Sequence, residues 1–92
     1  IGTGRMRTPE MLAAGVPIAL GTDGSGANDN LVMQEAMRAA ALLHRSDLPD
    51  RRKWVTSRDA LRMATVEGAR ALRLAGRLGE IAPGQLADIV LY

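Results

Sequence analysis

The sequence predicts an α/β chain in which one strand of a parallel sheet feeds a long helix, two shorter helices follow, and a last strand closes the order. Three observations carry this. Val16-Pro17-Ile18-Ala19-Leu20 is a short apolar run without alternation, the pattern of a strand buried on both faces. A Gly- and Asn-rich stretch at residues 21–30 separates it from a long segment with apolar residues at helical spacing. The chain then finishes on a second apolar run, Ala87-Asp88-Ile89-Val90-Leu91-Tyr92. A short strand feeding a long helix is one βα unit of a parallel fold. One unit cannot close a sheet, so the strand at 16–20 needs parallel neighbours that the sequence does not offer.

Each element has its own signals. Residues 1–7 are Gly-rich and basic and read as a loop. Thr8-Pro9-Glu10 reads as a helix start, with Thr8 as cap, Pro9 at the first helical position and Glu10 at the positive end of the dipole. That short helix stops at Gly15. Pro17 cannot donate to a ladder and belongs near the strand start. In the long helix, about residues 31–45, Met33, Ala36, Met37, Ala40 and Leu43 share one face, and Gln34, Arg38 and Arg45 lie on another. Residues 46–53 form a polar loop broken by Pro49. Thr56-Ser57-Arg58-Asp59 resembles a capping box with Asp in place of Glu. It opens a helical region over about residues 57–74, in which Thr65 is expected to cap a second short helix. Pro83-Gly84 suits a type II turn. No internal repeat or low-complexity tract is present.

Composition removes several function classes. Ninety-two residues bound the chain to one small domain or a fragment of a larger one. Twelve Lys and Arg against ten Asp and Glu leave a net charge of only +2. The basic residues are scattered, which argues against nucleic acid as a partner. The one basic run, Arg51-Arg52-Lys53, follows Asp47 and Asp50 and reads as a solvated turn. Trp54 and Tyr92 are the only aromatic residues, so there is no stacking platform for bases. The absence of cysteine excludes a disulfide framework and a thiolate zinc site, and is compatible with a cytoplasmic protein. No apolar run reaches membrane-spanning length, and no signal peptide is visible. The chain begins at Ile1 and stops at Tyr92 inside an apolar run, so both ends read as cuts in a longer protein.

Asp23 is the foremost candidate for chemistry. It stands just past the C-terminal end of the expected buried strand, at the head of a Gly-rich loop. In barrels of parallel strands the active site is built at that end. A carboxylate there can ligate a metal and accept a proton from water. Asp and Gly are also common turn formers, and position alone leaves these two readings evenly balanced. As a calcium loop the stretch fails, because Ala27 and Asn28 do not fit the oxygen-ligand pattern that Asp23 and Ser25 begin. Neither this loop nor Gly2-Thr3-Gly4 has the glycine spacing of a dinucleotide loop, and the Gly-Lys-Ser/Thr ending of a phosphate loop is missing. Asn28 is read as structural support, holding the loop after Asp23 by hydrogen bonds to backbone groups. His44, the single histidine, lies near the end of the long helix and reads as a surface residue. Met33 and Met37 read as core.

These residues match a family pattern. Residues 16–25, followed by Asn28, resemble the eighth barrel strand of the amidohydrolase superfamily, in the branch of cytosine, adenosine, guanine and S-adenosylhomocysteine deaminases and triazine chlorohydrolases. Ala60-Leu61-Arg62-Met63-Ala64-Thr65, with Gly68-Ala69 and Ala71-Leu72, resembles the helical pair after the barrel. Residues 79–91 resemble the return strand of a small composite β domain. The resemblance implies that residues 1–75 are the end of a (β/α)8 TIM barrel and that residues 76–92 enter the composite β domain. It implies one divalent metal, zinc first and iron second, held by histidines from earlier strands and by an aspartate that maps onto Asp23. The aspartate orients water and takes its proton, hydroxide attacks a ring carbon, and ammonia or another small group leaves. The histidine ligands and the ring-protonating glutamate lie upstream of Ile1 in this pattern. Glu10, Glu35, Glu67 and Glu80 are therefore not assigned that role.

The expected parent is thus a homo-oligomeric, cytoplasmic amidohydrolase that hydrolyses a C–N bond of a small aromatic amine, a purine-like compound first. Residues 28–43 look somewhat closer to nucleoside-type deaminases than to chlorohydrolases. Dechlorination of a triazine-like ring at the same site is the second expectation. A small non-enzymatic α/β binding module is the alternative from another class.

Overall fold

The computed structural model describes residues 4–91 of the chain. The element order is α1 (Thr8–Ala13), α2 (Met33–Leu42), a single 3-10 turn (Arg51–Lys53), α3 (Ser57–Ala64) and α4 (Val66–Ala71). Ile1, Gly2 and Thr3 of the expected first loop, and Tyr92 of the expected last strand, lie outside the described residues.

Among the described residues no strand forms; one isolated bridge joins Ala75 and Leu78. The expected strands at 16–20 and 87–92 do not form within the described residues of this chain taken alone. A strand is a property of a pair, and neither run has a ladder partner here. Of residues 16–20 only Ile18 is buried, at 6 % exposure, and Val16 is exposed. The Leu20 amide instead donates to the Met63 carbonyl of α3 at 3.0 Å. Residues 87–91 are exposed throughout. The β content of the expected α/β class is therefore absent from the described chain.

Helix α1 starts one residue earlier than expected. Thr8 is its first residue rather than its cap, Arg7 takes the cap position without a side-chain bond, and Thr8 and Pro9 are buried. The predicted stop is present. Gly15 adopts φ +74°, and the Gly15 and Val16 amides donate to the carbonyls of Leu12 and Met11, both at 2.9 Å. That pair of bonds is a Schellman ending, which needs the left-handed conformation glycine takes freely.

Helix α2 is shorter than the expected 31–45. Asn30 Oδ1 accepts the Val32 amide at 2.9 Å, which holds Val32 extended outside the helix. Beyond Leu42 the bonds tighten to Arg45 N–Leu42 O and Asp47 N–His44 O. Arg45 also donates from Nε to the Ala41 carbonyl at 2.9 Å, occupying an end-of-helix acceptor. Met33, Ala36, Met37 and Ala40 are half-buried on the predicted face, whereas Leu43, past the helix end, is exposed.

The 3-10 turn is the solvated turn expected for the basic run. Asp50 accepts the Arg52 amide, and its carboxyl is held below the usual range by the Arg52 side chain and that amide bond. Helix α3 carries the complete capping box: Thr56 Oγ1 accepts the Asp59 amide at 3.1 Å, and Asp59 Oδ2 accepts the Thr56 amide at 2.9 Å. Thr65 separates α3 from α4 but makes no cap bond. Its hydroxyl donates back to the Leu61 carbonyl at 2.8 Å. The Pro83-Gly84 turn forms, with Gly84 at φ +87° and the Gln85 amide on the Ala82 carbonyl.

The core is small. Ile18, Val55 and Met63 form it, with Met11, Leu12, Leu20 and Ala40 packed around them. Many large apolar side chains stay in water, among them Leu31, Leu72, Ile81, Val90 and Leu91. The radius of gyration is 14.1 Å, against about 12 Å for a compact domain of this length. The isolated 92-residue chain is therefore expected to unfold without a cooperative transition. Calorimetry on a dilute monomeric sample checks this; a sharp heat-absorption peak would contradict it.

Candidate active-site loop

The loop at residues 21–30 leaves the core through Ile18 and Leu20, which are pinned between α1 and α3. Asp23 follows with φ +61°, a left-handed conformation uncommon for a residue with a Cβ but tolerated by Asp and Asn. Its Oδ1 accepts the Gly24 amide at 2.8 Å. No hydrogen bond reaches Oδ2 among the described residues, and Asp23 is exposed. The carboxylate is thus held at one oxygen and presented at the other.

Asn28 closes the loop behind it. Its carboxamide donates from Nδ2 to the carbonyl of Thr22 at 2.8 Å, and its own amide donates to the Gly24 carbonyl at 2.9 Å. Residues 22 and 24, on either side of Asp23, are both tied to this one half-buried residue.

Other candidates lie elsewhere. His44 is buried at 8 % exposure, which corrects the surface reading. The turn after α2 folds it against the chain before α1, where Arg5 pairs with Asp47 and donates to the Leu43 carbonyl. It lines a cleft of about 300 Å3 with Glu10, Asp47 and Leu48, and Asp23 is not part of that cleft. The Glu10 carboxyl is held below its usual range by a backbone hydrogen bond and by Arg7. An acid kept ionised in this way is a poor proton donor to a ring. Glu67 is committed to an ion-pair network, accepting from Arg62 at 3.2 Å and Arg70 at 3.1 Å with its side chain only 12 % exposed. The Glu67/Arg70 spacing is a readable helical pair; the depth of its burial is not readable. A cleft of about 700 Å3 is lined by Leu12, Leu48, Trp54 and Asp59 among others, and Asp23 is not part of it.

Among the described residues no three His, Cys, Asp or Glu side chains converge on a point that could hold a metal ion. The donor set fits one ligand of a divalent-metal site, a carboxylate oxygen with no other partner, and not a whole site. No helix among the described residues is long and apolar enough to cross a membrane.

A relative from Acetivibrio thermocellus named 5-methylthioadenosine/S-adenosylhomocysteine deaminase is 44% identical over 91 residues, which is 99% of this chain and 21% of the relative. Relatives of the same name from Thermococcus kodakarensis and Syntrophobacter fumaroxidans are 47% and 41% identical over 99% of this chain and 21% and 20% of their own lengths. The chain therefore spans about a fifth of the length of the curated relatives it matches. The model of the amidohydrolase family matches residues 1–92. With its whole length matched, the chain belongs to the amidohydrolase family.

Proposed function

We propose that this chain is the C-terminal part of a hydrolytic deaminase acting on an adenosine-type nucleoside, and that Asp23 is its metal-ligating, proton-accepting residue. The observation that carries the reading is the Asp23 carboxylate, exposed and tied at one oxygen only, at the head of a braced loop. Family membership implies a TIM barrel. In that frame residues 16–20 are the eighth strand, paired in the parent by strands from outside this chain, and residues 1–75 end the barrel. Residues 76–92 are proposed to enter a small composite β domain.

A divalent metal, zinc before iron, would be held in part by Asp23 and would, when bound, supply the Lewis acidity that makes water a nucleophile at neutral pH. The Asp23 carboxylate would orient the attacking water and take the proton it releases. The water oxygen would bond to the amine-bearing ring carbon, and the C–N bond would break as the amino group, taking up the proton held by Asp23, leaves as ammonia. The remaining metal ligands and the ring-protonating acid are assigned to segments outside these 92 residues.

The relatives' name supports the substrate class, thioether nucleosides carrying an adenine ring, over a chlorinated triazine. Family membership weighs against a non-enzymatic module. The proposal includes a cytoplasmic homo-oligomer, as the family resemblance implies. The full-length protein, loaded with zinc, should release ammonia from S-adenosylhomocysteine and methylthioadenosine and no chloride from a chlorotriazine. Chloride release without ammonia, or hydrolysis of neither compound, would reject the assignment.

A further inference from the structure

We infer that Asn28 is a positioning residue for Asp23, acting through its carboxamide N–H and not through contact with substrate. The inference rests on the proposed role of Asp23 and extends it to a residue that has no chemistry of its own.

The geometry is local and specific. A carbonyl can only accept, so the group facing the Thr22 oxygen at 2.8 Å must be the Asn28 amide nitrogen. Thr22 directly precedes Asp23 in the chain, and its carbonyl plane sets where the left-handed turn at Asp23 begins. On the other side, the Gly24 carbonyl accepts the amides of both Ala27 and Asn28 at 2.9 Å. The peptide unit before Asp23 and the one after Gly24 are thereby both tied to Asn28, and the unit between them is tied to the Asp23 side chain by the Gly24 amide on Oδ1. Three glycines, Gly21, Gly24 and Gly26, lie within or beside this loop, and a Cβ added at any of them would meet nothing within 4 Å. Residues 23–27 are exposed as well, so packing contributes little to this part of the loop. Hydrogen bonds hold it, and the one side-chain bond that spans it is Asn28 to Thr22. Residues that orient a metal ligand from behind typically contribute 10–100-fold to metal affinity or turnover.

The experiment uses the full-length protein with zinc. Asn28→Ala removes the donor, Asn28→Asp keeps the shape but replaces the donor with an acceptor, and Asn28→Gln keeps the carboxamide on a longer arm. The readouts are zinc affinity by chelator competition, ammonia release, and the urea unfolding midpoint. Expected are losses of about 10–100-fold in zinc affinity and turnover for Asn28→Ala and Asn28→Asp, a smaller loss for Asn28→Gln, and an unchanged midpoint throughout. Wild-type zinc affinity in Asn28→Ala overturns the inference. So does a glutamine variant no better than alanine, or a fall in the midpoint that accounts for the lost activity. Asp23→Asn is measured alongside. If it loses zinc and turnover while Asn28→Ala keeps both, the positioning role fails and the role of Asp23 stands. If Asp23→Asn also behaves as wild type, the proposed function itself fails.

Discussion

Replacing Asp23 by asparagine in the full-length enzyme is expected to lower turnover by roughly 10^2–10^4-fold through loss of proton acceptance alone, with further loss from weakened metal binding. Asparagine is the informative replacement. It keeps the size of the side chain and tolerates the φ of +61° that the loop imposes. It can still accept the Gly24 amide bond through its carbonyl oxygen. What it lacks is the negative charge that ligates a cation strongly and takes up a proton. Asp23→Gly makes the complementary test. It removes the side chain but adopts the left-handed turn without steric cost, so the protein should fold at least as well while remaining inactive. Ammonia release and metal content, measured on the same samples, check both. Wild-type turnover in Asp23→Asn would reduce Asp23 to a turn residue.

The balance between turn former and ligand that the sequence left at Asp23 arises because both roles use the same residue. Asp23 does turn the chain: its backbone is left-handed and Oδ1 bonds the next amide. The second oxygen is exposed and has no partner among the described residues, so the turn leaves it available to the ligand role proposed above. Local signals were the legible ones. The Thr56/Asp59 capping box, the stop at Gly15 and the Pro83-Gly84 turn each depend on a few neighbouring residues, and each forms. Signals that depend on distant segments did not translate. The apolar runs at 16–20 and 87–91 have strand composition, but without ladder partners among the described residues they form no strand. The burial of His44 is not legible for a related reason: it comes from the Arg5 segment folding across the turn after α2, a contact of long sequence separation with no periodic signature.

One contact of long range does have a sharp test. Gly79 sits at φ +97°, and a Cβ there would lie 2.9 Å from Val66 Cα and 3.1 Å from both the Thr65 oxygen and the Val66 nitrogen. All three are backbone atoms at the junction of α3 and α4, so no side chain can swing aside. Gly79→Ala is expected to destabilise the full-length protein by roughly 2–5 kcal/mol, combining overpacking with a strained φ. Gly76 provides the control. Its φ is +77°, similarly unfavourable for alanine, but a Cβ there meets nothing within 4 Å. Gly76→Ala should therefore cost only about 1 kcal/mol, the backbone part alone. Urea midpoints of the two variants, at unchanged slope, measure the difference. A clear excess for Gly79 means that the segment leading to residues 81–91 docks on the α3–α4 junction in the full-length protein too, by close backbone approach rather than by side-chain packing. Equal costs for the two would mean that in the full-length protein this segment takes a different path over the helices.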